Sequence, residues 1–214
     1  GIQTFNDATL RILNRRHTAQ EACQAVNRLR KKGFGNISID LIYGLPGEDL
    51  KQWEANLQQA IALNVEHISA YHLTYEEGTP LYRMLQKGLV SEVSEEHSLM
   101  CFNTLIDTLQ QAGFQHYEIS NFCKPDMHSR HNSSYWQGIA YLGCGAAAHS
   151  FDGASRQWNI ADIKAYIQGI EKEEPCYEIE ALDTPTRYNE YIMTGLRTSH
   201  GISIEEVTER FGQS

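Results

Sequence analysis

The chain has 214 residues, of which 41% are hydrophobic and 21% charged, with a formal net charge of -9. This is the composition of a folded domain, alone or with a small appendage. The charge argues against a protein that follows nucleic-acid phosphates, which needs a basic stripe. The one basic cluster, Arg28 to Lys32, closes a helical pattern, where cations complement the helix C-terminus. No apolar run is long enough to span a membrane. The five cysteines, Cys23, Cys101, Cys123, Cys144 and Cys176, form neither a CxxC pair nor a disulfide framework. They predict mostly buried, reduced thiols in a cytoplasmic protein.

Gly1 to Phe5 reads as a strand from the first residue, which predicts a fragment of a longer chain. Asp7 opens a helix carrying Leu10 and Leu13. Thr18 and Glu21 have the spacing of a capping box, and Ala22, Val26 and Leu29 follow at helical period up to Gly33. Asn36 to Tyr43 is β-branched and largely apolar, as in a buried parallel strand. Asp49 starts a helix with Trp53, Leu57, Ala60 and Ile61 on one face. His67 to Thr74 is the next strand, and Pro80 suits the first turn of the following helix. Ser94 caps a helix with a stripe of Leu99, Phe102, Ile106 and Leu109, ending at Gly113.

Strands recurring about every thirty to thirty-five residues, with helices between, predict βα units of a parallel sheet or barrel. Beyond Gly113 the pattern changes. Gln115 to Ile119 reads as a strand, Ser120 to Ser134 as a polar loop, and Tyr141 to Phe151 as a glycine- and alanine-rich stretch that permits close backbone approach. Helices are predicted around Ile160–Ile170, from Thr184, and from Ser203. The domain expectation is a barrel portion over residues 1–113, an α+β covering region over 114–175, and the start of a helical domain over 176–214.

Ligands of open sheets and barrels sit beyond the carboxyl ends of the strands. Gln3, Asp40 and Thr74 fall there. Asp40 is the most telling, because a carboxylate in an apolar strand is costly unless it meets donors. A ligand hydroxyl or amine would supply them; an internal ion pair to Arg15 is the alternative. A second group is His131, Asn132, Tyr135 and Trp136. His131 offers an imidazole and the two aromatics offer flat apolar faces. Spacing alone favours aromatics that merely anchor a loop.

Together these segments resemble a family. Gly1-Ile2-Gln3-Thr4-Phe5-Asn6-Asp7, Leu13-Asn14-Arg15 and Ile39 to Gly47 are similar to the radical S-adenosylmethionine (SAM) proteins of the oxygen-independent coproporphyrinogen III oxidase type. Ile68 to Leu73, Gly78 to Tyr82 and Tyr117 to Phe122 continue the match. His131-Asn132-Ser133-Ser134-Tyr135-Trp136, an HNxxYW pattern, and Tyr141 to Ser150 resemble the haem-chaperone branch, HemW. The resemblance implies a partial β/α barrel followed by a smaller α+β region, a 4Fe–4S cluster on a CxxxCxxC loop, and bound SAM. It implies SAM contacts at Gln3, Arg15, Asp40, Ile42 and Thr74, and haem contacts at His131, Asn132, Tyr135 and Trp136. It also implies transfer of haem to membrane-bound respiratory proteins, and so peripheral contact with the inner membrane. The rival within the family is the decarboxylating coproporphyrinogen dehydrogenase, against which HNxxYW argues. The CxxxCxxC pattern is not among these 214 residues, so the expectation is a fragment without cluster ligands and inactive alone.

Overall fold

A computed structural model describes residues 1–212. Two compact units divide the chain at 128/129.

The first unit opens with an irregular segment, not a strand: Gln3 makes a single parallel bridge to Leu41 and has φ of 70°. Helix α1 (Asp7–Ile12) is capped by Asn6, whose side chain accepts from the Ala8 and Thr9 amides. Helix α2 (Ala19–Lys31) carries the expected capping box: the Glu21 amide donates to Thr18 Oγ1 and the Thr18 amide donates to Glu21 Oε2. The Thr18 amide and hydroxyl, both donating to Glu21 Oε2, hold the Glu21 carboxyl below its ordinary range. At the other end Arg30 donates to Glu66 and to the Asn64 carbonyl, while Glu66 accepts from the Ile37 amide. The helix-end cation thus ties α2 to the start of the sheet.

Strand β1 (Ser38–Tyr43) is followed by α3 (Leu50–Ala62), β2 (His67–His72), α4 (Pro80–Gln86), α5 (Glu95–Gln111), β3 (Gln115–Glu118) and β4 (Asn121–Cys123). The sheet order is β1-β2-β4-β3. β1 and β2 are parallel, as the βα reading requires. The antiparallel strands come after Gly113, where the parallel reading ends: β4 runs antiparallel to β2 and to β3. It also lies inside the stretch read as a polar loop. Its three residues are too few to show an alternation, and a hairpin partner, not sequence period, makes them a strand.

Alternation gives the sheet two unlike faces. Ile39, Leu41 and Tyr43 point one way with Ile68, Ala70 and Phe122, and are buried against Val26, Trp53, Leu57, Cys101, Leu105 and Leu109. Trp53 is fully buried and donates its indole N–H to the Cys101 carbonyl. The opposite face carries Ser38, Asp40 and Ile42 on β1, His67, Ser69 and Tyr71 on β2, and Asn121 on β4, paired in register.

The second unit holds α6 (Arg130–Trp136), then β5 (His149–Phe151), β6 (Ser155–Asn159), α7 (Ile163–Lys172), β7 (Tyr177–Ala181), α8 (Thr184–Arg197) and α9 (Ile204–Phe211). The strands form an antiparallel sheet in the order β5-β6-β7. α6 is a second correction, since His131 to Trp136 lie on a helix capped by Ser129 and not in a loop. Gly143 explains the small residues nearby: a Cβ there would run into the backbone of His149, while the Gly143 amide donates to Ser150 Oγ at 2.9 Å.

Candidate functional site

On the first unit the fold brings Gln3, Asp40 and Ile42 together through backbone bonds. The Gln3 amide donates to the Asp40 carbonyl at 2.7 Å, and the Ile42 amide donates to the Gln3 carbonyl at 2.8 Å. Asp40 and Ile42 share the polar face of β1. The Asp40 carboxylate is 43% exposed and lies 3.6 Å from the Gly1 amino group. Among the described residues no ion pair joins it to Arg15, which stands exposed after α1. The internal salt bridge considered for Asp40 is therefore not the one the fold makes. Thr74 stands apart from this group. It lines a cleft of about 630 Å³ at the ends of β1 and β2, with Tyr43, His72, Val93, Leu99, Phe102 and Ile119.

Two polar networks escaped the sequence reading. In the first, Glu48 accepts from the Gly44 and Leu45 amides and from Asn56 Nδ2. Asn56 Oδ1 in turn accepts from Thr4 Oγ1 and the Phe5 amide. This tie joins the turn after β1 to the segment holding Gln3. Burial pushes the Glu48 carboxyl up to about 7, against the lowering effect of its backbone donors. In the second, His67 Nδ1 meets Ser38 Oγ at 2.8 Å and His67 Nε2 meets the Tyr117 hydroxyl at 2.7 Å. Beside it Ser69 donates to Asn121 Oδ1 at 2.7 Å, and Asn121 Nδ2 donates to Glu118. Burial lowers the His67 pKa. The signal for this second network is the alternation His67, Ser69, Tyr71 against Ile68, Ala70 in β2, polar against apolar.

On the second unit His131 and Tyr135, one helical turn apart, are both exposed. Their ring centroids are 5.0 Å apart with the planes at 89°. Asn132 lies half-buried in the first turn of α6, its amide donating to Ser129 Oγ. Trp136 is differently placed: its face is covered by the Arg197 guanidinium at 4.7 Å. Cys123, whose thiolate would be an alternative iron ligand, is fully buried in β4, and burial pushes its thiol up to about 11. It is a protonated core residue at neutral pH. Among the described residues no three of His, Cys, Asp and Glu are grouped to hold a metal ion.

Residues 1–60 match the model of the radical SAM superfamily, and residues 182–214 match that of the HemN C-terminal domain. The fold agrees with the solved structure titled "Coproporphyrinogen III oxidase (HemN) from Escherichia coli is a Radical SAM enzyme", at a TM-score of 0.79 over 99% of this chain and 51% of that one, with 20% identity. The chain is thus similar to radical SAM proteins of the HemN type and shares their α/β fold. Its curated relatives are more particular. The heme chaperone HemW of Bacillus subtilis is 36% identical over 100% of this chain and 57% of its own length. HemW of Lactococcus lactis is 33% identical over 99% and 55%. The mitochondrial radical S-adenosyl methionine domain-containing protein 1 of Danio rerio is 32% identical over 95% and 48%. Within its class the chain is HemW-like. It spans about half the length of the relatives it matches.

Proposed function

We propose that this chain is part of a protein that binds haem on α6 and passes it to respiratory haem proteins, and that binds SAM at the edge of β1. The observation that carries the haem reading is His131: an exposed imidazole held edge-on by the exposed ring of Tyr135. Imidazole is a common axial ligand of haem iron, and a porphyrin face needs apolar cover. His131 would supply the nitrogen, Tyr135 would cover the ring, and Asn132 would hold the first turn of the helix. Trp136 would support the helix from its Arg197-covered side. Two of the relatives are named heme chaperone HemW, which supports haem as the ligand.

For SAM, Gln3 and Asp40 offer an amide and a carboxylate beside the half-buried Ile42. A carboxylate there would accept from ribose hydroxyls or an ammonium, and Ile42 would cover the flat base. Arg15 and Thr74 complete the set implied by resemblance. Bound SAM with a reduced cluster supplies radical chemistry; the residues described here bind and orient.

The test is titration of the full-length protein with ferric haem, native and His131→Ala. The expected result is a saturable Soret band in the native protein that shifts and weakens in the variant. An unchanged Soret position and affinity in His131→Ala would remove His131 as the ligand.

A further inference from the structure

The aromatic contact on α6 does not end at Tyr135. The Tyr135 and Tyr141 rings lie 4.8 Å apart at 72°, and Tyr141 reaches Phe151 at 6.2 Å. Residues 137–140 between α6 and Tyr141 are exposed and belong to no helix or strand. Tyr141 itself is fixed: its amide and carbonyl both bond to Phe151, at 2.8 and 2.9 Å. Phe151 is paired in β5 with Arg156 of β6, and the Arg156 guanidinium is clamped at two points by Glu190 of α8. Glu180 of β7 also faces Arg156 in register. A chain of rings therefore runs from the braced sheet to the exposed imidazole: Phe151, Tyr141, Tyr135, His131.

The angles give the chain a use. An imidazole that ligates the metal of a porphyrin stands perpendicular to the porphyrin plane. The Tyr135 ring is at 89° to the His131 ring, an attitude that allows it to lie parallel to such a ligand. We propose that Tyr141 is a positioning residue for a metal-bearing tetrapyrrole: acting through Tyr135, it fixes the plane of the His131 imidazole and turns Tyr135 to stack on the ligand. This inference rests on the haem reading of α6. Tyr141 makes no bond to the metal, and the row behind it has its one cation neutralised by Glu190, so its contribution is orientation and not charge.

The experiment uses the full-length protein with ferric haem as the probe, in native, Tyr141→Phe, Tyr141→Leu, Tyr141→Ala and His131→Ala forms. Tyr141→Phe keeps the ring and should retain native affinity and spectra. Loss of the ring in Tyr141→Ala should weaken haem about five- to tenfold, the size of an aromatic pair contact. It should also change the EPR anisotropy of the bound ferric haem, which reports the imidazole plane. Tyr141→Leu fills the space without a ring, and should show the same spectral change with a native melting temperature. If Tyr141→Leu and Tyr141→Ala keep native affinity and EPR while His131→Ala is impaired, Tyr141 only packs and the proposal is overturned. If His131→Ala also binds as the native protein does, the haem reading of α6 falls with it.

Discussion

Asp40 and Glu48 are carboxylates on one strand and the turn that follows it, and their surroundings give them opposite behaviour. Asp40 is half-exposed on the polar face, 3.6 Å from the Gly1 amino group and accessible from solvent. In the full-length protein Asp40→Ala should weaken SAM by about 1.5–3 kcal/mol, the usual cost of losing a hydrogen bond to a charged group. Calorimetry giving equal SAM affinities would take Asp40 out of the site. Glu48 is buried, and its carboxyl is raised from the ordinary 4.5 to about 7. A carboxyl with a raised folded pKa favours the fold when protonated. Its contribution is fully present below about 4.5 and is lost as pH rises through about 7. The loss amounts to something on the order of 3 kcal/mol. Glu48→Gln, which stays neutral and keeps an acceptor, should flatten the pH dependence of the denaturation midpoint and raise stability at pH 8 relative to pH 5. The same slope in both proteins would show that Glu48 is not the titrating group.

At the scale of elements, the helices that depend on period and caps were readable from the residues. The Thr18–Glu21 box, the Asp49 and Ser94 caps, Pro80 at a first turn and the Gly33 and Gly113 stops all stand where the chain chemistry puts them. Thr18→Ala removes the acceptor for the Glu21 amide and should cost about 1 kcal/mol of stability, read as a lower urea midpoint. An unchanged midpoint would mean that α2 is held by Ala22 and Val26 packing and by Arg30–Glu66 alone. The elements that were not legible are those made by distant partners. β4 exists because β2 and β3 flank it. α6 is short and rich in His, Asn and Ser, poor helix formers, and depends on the Ser129 cap and its ring contacts. Gly1 to Phe5 has strand composition, but the positive φ of Gln3 breaks the ladder after one bridge, and nothing in a glutamine announces that conformation.

Across the whole molecule, the two faces of the first sheet separate the core from the candidate ligand residues. The apolar side is a continuous core from Val26 through Trp53 and Leu105 to Phe122. Phe122→Ala should cost about 3–5 kcal/mol and lower the melting temperature without altering the chemistry of Asp40. A variant that melts with the native protein would contradict the core assignment. The polar side and the ring chain of α6 hold the candidate ligands. Gln3 and Asp40 are nameable as candidates because family resemblance and strand-end position agree, and Ile42 from the resemblance alone. Glu48, Asn56, Ser69 and Tyr141 are not, because each matters through a partner tens of residues away or across a turn.

The most direct measurement compares two ligands on the full-length protein under anaerobic conditions with SAM: haem, followed by its Soret band, and coproporphyrinogen III, followed by product analysis. A haem-binding, HemW-like protein should bind haem saturably through His131 and leave coproporphyrinogen III unchanged. Conversion of coproporphyrinogen III with no saturable haem binding would contradict it, and would make the chain part of a decarboxylase.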